Sequence, residues 1–420
     1  MPDEIPRYLC KEMDAADPLA DLRDRFVFVD DDLIYLDGNS LGRLPAATPD
    51  HLARLVREGW GEQLVRGWPT WIEWSRRIGD RLATHALGAR PGEVAVSDST
   101  SVNLYKLAAA ALDAAGDRRT VLVDGGDFPT DRYILQGLAE ARGLTLRVLP
   151  SDLDQGLDPA DLRAALSEDV ALVVLSAVSY RSGALLDMAA VNDAARRVGA
   201  YVLWDLSHAV GSVPVELTAS GADLAVGCTY KYLNGGPGAP AFLYVRRELQ
   251  SRLRQPIQGW FGQRDQFRMG ADYDPAPDLD RFQVGTPPVL GMAALDPALD
   301  VLADAGIERV REKGVRLTEL MVSLADAWLT PYGFTLASPR DPARRGSHVS
   351  LHHPEALRIS RALAEQGRVV GDYRTPDRLR LGPAPLYTRF VDVWDAMDRL
   401  RDIAERRSYE RLPREAPRVT

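Results

Sequence analysis

Short apolar runs alternate with helical patterns between about residues 93 and 245 of the chain. Six of these runs are rich in β-branched residues and are candidate strands: Val94–Val96, Thr120–Val123, Leu144–Leu149, Val170–Leu175, Tyr201–Trp204 and Ala241–Val245. Each run is nearly continuous in apolar residues, which is typical of strands covered on both faces. Repeated strand-helix units of this kind predict a mainly parallel sheet flanked by helices, and hence an α/β fold.

The pattern changes after Pro287-Pro288, where longer helical periods begin. Apolar residues recur there at helical spacing, at Ile307, Val310, Leu317, Leu320, Met321 and Leu324. Short runs near residues 334–336, 348–351 and 379–381 predict the strands of a smaller α+β domain. Because 420 residues exceed one ordinary core, we predict three parts: an N-terminal segment over 1–50 that packs with the small domain, a large ligand-binding domain over 51–290, and the small C-terminal domain over 291–420.

Composition narrows the class of protein and its partners. Apolar residues make up 45% of the chain and charged residues 26%, as in soluble globular proteins. The net charge of -9 argues against binding nucleic acid through its phosphates. The two cysteines provide no disulfide framework, and apolar runs such as residues 170–178 are far too short to cross a bilayer. With no basic, apolar leader at the start, we expect a cytoplasmic protein with no membrane role.

One lysine and one aspartate stand out for their chemistry. Lys231 follows the apolar run at residues 221–227 and precedes a glycine-rich turn, so an interior position is expected for it. Asp205 ends a predicted strand, and His208 follows three residues later. An aspartate followed later by a lysine is the order that holds pyridoxal phosphate (PLP), with a carboxylate for the pyridinium nitrogen and an amine for the Schiff base. The alternative is a surface lysine and a capping aspartate followed by a core histidine.

Other candidate residues follow predicted strands at the same edge of the sheet, where ligands bind in such folds. Thr100 and Ser101 open an alanine-rich helix whose N-terminus can hold a phosphate, or they are plain caps. Phe128 can lie against a pyridine ring while Asp131 accepts from a nearby donor, or they are a core phenylalanine and a capping aspartate. Ser176 ends another predicted strand at this edge.

Arg380 lies between apolar strand residues, where an arginine usually has an anionic partner. That partner is either a substrate carboxylate or an acidic side chain of the protein in an internal ion pair. His348, His352 and His353 lie close to one another in the sequence, but no cysteine or acidic residue completes a ligand set, so no metal is expected. Trp60, Trp68, Trp71 and Trp74 line an aromatic pocket or pack in a core or interface.

A series of motifs resembles the kynureninase family, whose members are fold-type I PLP enzymes that cleave kynurenine to anthranilate and alanine. The matching segments are Tyr35 to Gly42, Phe128 to Asp131, Asp205 to Ala209, Tyr230-Lys231, Gly259 to Gly262, Gly285 to Pro288 and Arg380 to Tyr387. They occur in the family's order and approximate spacing over nearly the whole chain. Gly285-Thr286 resembles the bacterial members, whereas animal members have Ser-Asn there, which favours kynurenine over 3-hydroxykynurenine as substrate. A ring-substituted kynurenine stays open as an alternative substrate.

The resemblance implies a fold-type I PLP-dependent transferase fold and a role for each motif. Lys231 would bond the cofactor aldehyde, Asp205 would pair with the pyridinium nitrogen, and Tyr230 would help Thr100 and Ser101 hold the phosphate. Phe128 would stack on the ring. The residues placed around the cofactor would be Asp131, Ser176, His208, Trp260 and Thr286. Arg380 would bind the carboxylate of the amino-acid substrate. The family's sites lie at the interface of a homodimer, so some of these residues would come from a second subunit.

Two further readings stay open at this point. One is another fold-type I reaction, such as that of an epimerase, an aminotransferase-like enzyme or a cysteine desulfurase. A desulfurase needs a mobile cysteine late in the chain, and Cys10 and Cys228 are both badly placed for that. The other reading is a non-catalytic, PLP-binding regulatory protein, which would need an added DNA-binding module or a broken lysine site.

Overall fold

The computed structural model describes residues 5–414. The strands are β1 Ile34–Tyr35, β2 Val94–Val96, β3 Thr120–Asp124, β4 Thr145–Leu149, β5 Val170–Ser176, β6 Tyr201–Asp205, β7 Leu224–Gly227, β8 Phe242–Val245, β9 Thr335–Leu336, β10 Val349–His352, β11 Val369–Val370, β12 Asp372–Arg374 and β13 Arg378–Leu381.

The α-helices are α1 Arg7–Ala15, α2 Thr48–Arg54, α3 Trp68–Trp71, α4 Trp74–Leu82, α5 Thr100–Ala114, α6 Pro129–Arg142, α7 Pro159–Ala165, α8 Met188–Val198, α9 Arg247–Gln250, α10 Val289–Ala305, α11 Ile307–Trp328, α12 Ala356–Glu365 and α13 Phe390–Arg406. Two segments, Leu55–Glu62 and Ala83–Leu87, are π-helical. Short 3₁₀ turns occur at Ala20–Arg25, Leu64–Gly67, Trp260–Gly262, Gln266–Arg268, Leu279–Phe282, Thr330–Tyr332, Pro342–Arg344 and Ser408–Arg411.

The large sheet has seven strands in the order β2-β8-β7-β6-β5-β3-β4. The pairs β3–β4, β3–β5, β5–β6 and β6–β7 are parallel, whereas β8 runs antiparallel to both of its neighbours. Two apolar clusters cover its faces, one containing Trp204 and Phe242 and the other Val121 and Leu172. The structure confirms all six predicted strands and has a further strand, β7, at the apolar run before Lys231. The mainly parallel α/β fold is therefore confirmed as well.

A four-stranded antiparallel sheet with the order β12-β13-β10-β9 packs with α11, α12 and α13 around a separate apolar core. The three strands and the long helix expected here are present. The sequence pattern missed β12, because its residues Asp372 and Arg374 are charged and show no apolar alternation. The N-terminal segment reaches this part of the molecule, since β1 pairs in parallel with β11 through Ile34 and Val369. The domain boundaries themselves stay a prediction.

Within residues 5–414, no helix is both long and apolar enough to cross a membrane. The same residues contain no group of three or more His, Cys, Asp or Glu side chains arranged to hold a metal ion.

Candidate active site

A cavity of about 480 Å³ opens at the carboxyl ends of the parallel strands. Its lining includes ten of the residues predicted for the site: Thr100, Ser101, Phe128, Asp131, Ser176, Asp205, His208, Tyr230, Lys231 and Thr286. These residues come from six separate segments of the chain. All of these segments except that of Thr286 end or follow a strand, so the parallel arrangement brings them together at one edge of the sheet. Two predicted residues, Trp260 and Arg380, lie outside the lining.

Lys231 lies directly beside His208 in this cavity. The Lys231 Nζ atom is 3.3 Å from Nε2 and 3.5 Å from Nδ1 of the histidine, and 5.8 Å from the centre of the Tyr230 ring. His208 is buried, and burial together with the charges of Lys231 and Arg380 lowers the pKa of its imidazole well below the ordinary value. His208 is therefore neutral at physiological pH and can accept a hydrogen bond from one of these cations.

Two carboxyl groups lie at the base of the cavity. Asp205 is the last residue of β6 and is buried, and its Oδ1 accepts from the backbone N–H of Ser207 at 2.8 Å. Asp131, on the first turn of α6, is also buried, and burial followed by the charge of Asp205 raises the pKa of its carboxyl well above the ordinary value. The raised pKa favours the protonated form of Asp131, whose carboxyl can then donate to Asp205.

Asp127 is a buried residue of this cluster that the sequence analysis missed. Its Oδ1 accepts from the backbone N–H of Ser176 at 3.1 Å, while its Oδ2 is buried without a partner among the described residues. Burial, and then the charge of Asp124, raises the pKa of Asp127 well above the ordinary value. In the sequence, Gly125-Gly126-Asp127 is indistinguishable from an ordinary surface turn, so no local signal marked it.

The other end of the cavity suits an anion. Helix α5 begins there at Thr100, and Ser99 caps it by accepting from the Val102 backbone N–H at 3.3 Å. Thr100 and Ser101 line the cavity beside this cap, and Thr286 also lines the cavity. Capping and anion binding are thus compatible here, because Ser99 provides the cap and leaves the other two hydroxyls free for a ligand.

Phe128 is not a core residue, since it is 46% exposed. Its ring lines the cavity and meets the ring of Tyr180 edge to face, with centroids 5.5 Å apart. A half-exposed aromatic ring at this position fits a planar ligand that stacks on it. Tyr180, which lines the same cavity, lies in the loop that follows β5.

Arg380 is fully buried behind His208. Its Nε donates to Asp372 Oδ1 at 2.8 Å, its Nη2 to the second oxygen of the same carboxylate, and its Nη1 to the carbonyl of Tyr180. The Arg380 Nη1 atom is also 3.5 Å from His208 Nε2. The internal ion pair, one of the two alternatives for Arg380, is therefore present. Binding of a substrate carboxylate by Arg380 stays a prediction.

The aromatic candidates lie away from the lysine. Trp260 is 41% exposed and packs on Phe261, with ring centroids 4.4 Å apart. Trp74 is buried in the core of the large sheet, Trp68 meets Trp71 edge to face, and Trp60 is largely exposed. Neither these four tryptophans nor Trp260 lines the cavity within the single described chain.

The arrangement of a lysine, a buried aspartate, a half-exposed aromatic ring and a helix N-terminus fits PLP group by group. Comparison with known proteins agrees with this. The kynureninase of Pseudomonas fluorescens is 42% identical over 408 residues, covering 95% of this chain and 96% of the relative. That of Burkholderia pseudomallei strain K96243 is 44% identical over 415 residues, covering 97% of each chain. The chain belongs to the kynureninase family. A sequence profile of the kynureninase C-terminal domain also matches residues 310–400.

Solved structures of other proteins share the fold of this kynureninase-family chain. An apo cysteine desulfurase from Thermococcus onnurineus NA1 superposes with a TM-score of 0.78 at 19% identity, covering 92% of this chain and 98% of that one. A C-DES variant with glycine covalently linked to its PLP cofactor gives 0.79 at 19% identity, covering 90% and 99%. At this identity the likeness concerns the fold alone. The predicted family and the predicted fold-type I architecture are both confirmed.

Proposed function

We propose that the protein is a kynureninase, which uses PLP and water to cleave the β–γ carbon bond of L-kynurenine. The products are anthranilate and L-alanine. The observation that carries the proposal is the position of Lys231, which shares one cavity with a buried aspartate, a neutral histidine and the N-terminus of α5. The identity of 42–44% to kynureninases over almost the full length supports the same reaction.

When bound, the cofactor would accept the electron pair that is left on the substrate α-carbon when its proton is removed. Lys231 would bond the cofactor aldehyde and, once displaced by the substrate amine, remove and return protons at the carbon atoms that react. Asp205 would keep the ring nitrogen protonated, helped by the neutral Asp131 beside it. Phe128 would stack on the ring, while Ser176 and His208 would orient its edge.

Tyr230 is our candidate for moving protons around the substrate γ-carbonyl. Burial raises the pKa of its phenol above the ordinary value, so the hydroxyl is present as a donor. Water adds to the γ-carbonyl, the β–γ bond then breaks, and the aryl group leaves as a carboxylic acid. The β-carbon takes up a proton and alanine is released. The reaction consumes one water molecule and needs no oxidant or metal.

We also propose that two copies of the chain form a homodimer in the cytoplasm, with each active site at the interface. Trp260 is half-exposed and outside its own chain's cavity, which supports a role in the partner's site. Arg380 would receive the substrate carboxylate on its Nη1 side, the side that faces His208. The preference for kynurenine over ring-hydroxylated kynurenine rests on Gly285-Thr286 and is part of the same proposal.

The cysteine desulfurase alternative is disfavoured by the position of both thiols. Cys10 is fully buried in α1, and Cys228, at the cavity, is fully enclosed with its pKa raised by burial. Neither thiol is a mobile thiolate nucleophile of the kind that reaction requires.

The test is a spectrum of the purified protein, recorded while L-kynurenine and then 3-hydroxykynurenine are added, with anthranilate fluorescence followed in the same cuvette. Visible absorbance of the bound cofactor together with fluorescent product is the expected result, with faster turnover of kynurenine. Cofactor absorbance without product from either compound would favour an epimerase or aminotransferase-like reaction. No visible absorbance after addition of PLP would contradict the cofactor itself.

A further inference from the structure

Lys106 is a fully buried cation that the roles above do not use. It lies on the second turn of α5, and its Nζ donates to Asp98 Oδ2 at 2.7 Å and to the carbonyl of Phe282 at 2.8 Å. Lysine is almost never fully buried unless it is paired, because removing its charge from water is costly. A buried pair of this kind calls for a specific reason at its position in the fold.

Asp98 brings the pair to the cavity. It lines the cavity next to Ser99 and Thr100, with a left-handed backbone φ of 50°. The turn is held on both sides, since the Asp98 carbonyl accepts from the Ala241 backbone N–H at 2.9 Å and the Asn103 side chain donates to the Ser97 carbonyl at 2.8 Å. The carboxylate of Asp98 is therefore held at the same end of the cavity as the two hydroxyls of Thr100 and Ser101.

This position creates an electrostatic conflict. The N-terminus of α5, a helix of 15 residues, favours an anion. A carboxylate at the same place repels a phosphate, and the repulsion is strong where water is partly excluded. Side chains of a helix lean toward its N-terminus, so Lys106 extends back to that end and meets Asp98 there. The ammonium group both cancels the carboxylate charge and adds to the positive end of the helix.

We propose that Lys106 and Asp98 form a positioning pair for the cofactor phosphate, in which Lys106 neutralises Asp98 so that the N-terminus of α5 accepts a phosphate dianion. The inference rests on the proposed function, because PLP supplies the phosphate. Both residues act through the turn and the helix end rather than by touching the reacting atoms.

The second hydrogen bond of Lys106 extends the same role. Its acceptor, the carbonyl of Phe282, lies four residues before Thr286, which lines the same cavity as Thr100. One ammonium group thus joins α5, the Asp98 turn and the segment that leads to Thr286. Loss of Lys106 would free both the Asp98 turn and the segment before Thr286, in addition to leaving a carboxylate without its countercharge.

The experiment compares PLP with pyridoxal, which is the same molecule without the phosphate. The full-length chain is freed of cofactor and titrated with each compound, and the dissociation constant is read from visible absorbance. Lys106→Met is expected to weaken PLP binding roughly tenfold or more, because it leaves Asp98 charged beside the phosphate. Pyridoxal binding should stay within about twofold, since no phosphate is present to feel the unpaired carboxylate.

Two further variants test whether the charge of Asp98 is what weakens PLP binding when Lys106 is replaced. Asp98→Asn removes the repelling charge and is expected to bind PLP as tightly as the unaltered chain or more tightly. The double variant Asp98→Asn/Lys106→Met should recover much of the PLP affinity lost in Lys106→Met. Asp98→Asn alone keeps the inference testable if Lys106→Met does not fold, because selective weakening of PLP binding in Asp98→Asn would overturn the inference.

Lys313→Met is the matched control. Lys313 is also buried, and it pairs with Asp17 at 2.6 Å, but neither residue lines the cavity. Its loss should lower stability without selective loss of PLP. If Lys106→Met weakens PLP and pyridoxal equally, or behaves as Lys313→Met does, the pair has only a structural role. If the unaltered chain binds neither compound, the proposed cofactor fails instead.

Discussion

Arg380 donates to both carboxylate oxygens of Asp372, which lies directly opposite it on the neighbouring antiparallel strand β12. A bidentate pair of this geometry fixes the plane of a guanidinium group. The plane leaves the Nη1 edge of Arg380 facing the Tyr180 carbonyl and His208. Asp372 therefore decides which edge of the arginine faces the active site.

Replacing Asp372 by asparagine should impair substrate binding more than cofactor binding. The guanidinium loses its charged partner and its fixed plane, so we expect the KM for L-kynurenine to rise roughly tenfold or more. PLP affinity, measured by absorbance titration, should remain unchanged. Asp154→Asn is the control, because it removes one of the two ion-pair partners of Arg378 on the same strand, and neither Asp154 nor Arg378 lines the cavity. Equal KM values in the two variants would remove Asp372 from substrate positioning.

Lys231→Ala should abolish the covalent link to the cofactor. Borohydride reduction of the unaltered holoenzyme is expected to add the cofactor mass to the peptide that contains Lys231, and the variant should show no such addition. Its kcat should fall by roughly 1000-fold or more, because both the link and the proton-transferring amine are lost. A cofactor adduct on a different lysine in the unaltered protein would show that the site has been assigned to the wrong residue.

Tyr230→Phe removes one hydroxyl from the cavity wall. We expect kcat to fall roughly 100-fold while the visible spectrum of the bound cofactor persists, because proton transfer is lost and the ring stays in place. Rapid mixing with L-kynurenine, followed by absorbance, should show fast substrate binding and slow release of fluorescent anthranilate. Unchanged product formation would exclude Tyr230 from proton transfer.

Asp127→Asn should stabilise the cofactor-free chain near neutral pH. The raised pKa means that the folded state holds a proton that the unfolded state releases above its ordinary pKa, so stability falls as pH rises. The slope from one group is at most about 1.4 kcal/mol per pH unit. The variant lacks this pH-dependent loss of stability, and its amide oxygen can still accept from the Ser176 backbone N–H. Urea unfolding from pH 4 upward should show an advantage that grows with pH and vanishes near pH 4; an advantage independent of pH would contradict the assignment.

Mixed dimers test the proposed contribution of Trp260. Lys231→Ala and Trp260→Ala subunits should each be nearly inactive as homodimers. If Trp260 completes the partner's site, half of the randomly mixed dimers contain one intact site, and activity should return to about a quarter of the unaltered value. No recovery, with exchange verified by differently tagged subunits, would place Trp260 in its own chain's site or outside the reaction.

Local sequence patterns were enough to locate the strands of the large sheet and several of the site residues that follow them. Continuous apolar runs marked the strands of the large sheet, since strands buried on both faces leave an unbroken signal. Asp205 and Lys231 could be predicted as site residues because a charged side chain at the end of a buried strand, or shortly after one, is expected to have a specific partner. Ten of the twelve predicted site residues line one cavity for the same reason: strand ends of a parallel sheet meet at one edge.

Only the tertiary structure decided which charges meet. Asp372 pairs with Arg380, Lys106 pairs with Asp98, and Asp127 accepts from the Ser176 backbone N–H. In none of these three contacts does the local sequence of one residue indicate its partner. The pKa values of Asp131 and His208 likewise follow from burial and from charged neighbours distant along the chain, and that of Asp127 follows first from burial. Sequence specifies hydrophobic period and residue type, which are local, whereas desolvation and ion pairing depend on the three-dimensional distances that the complete fold sets.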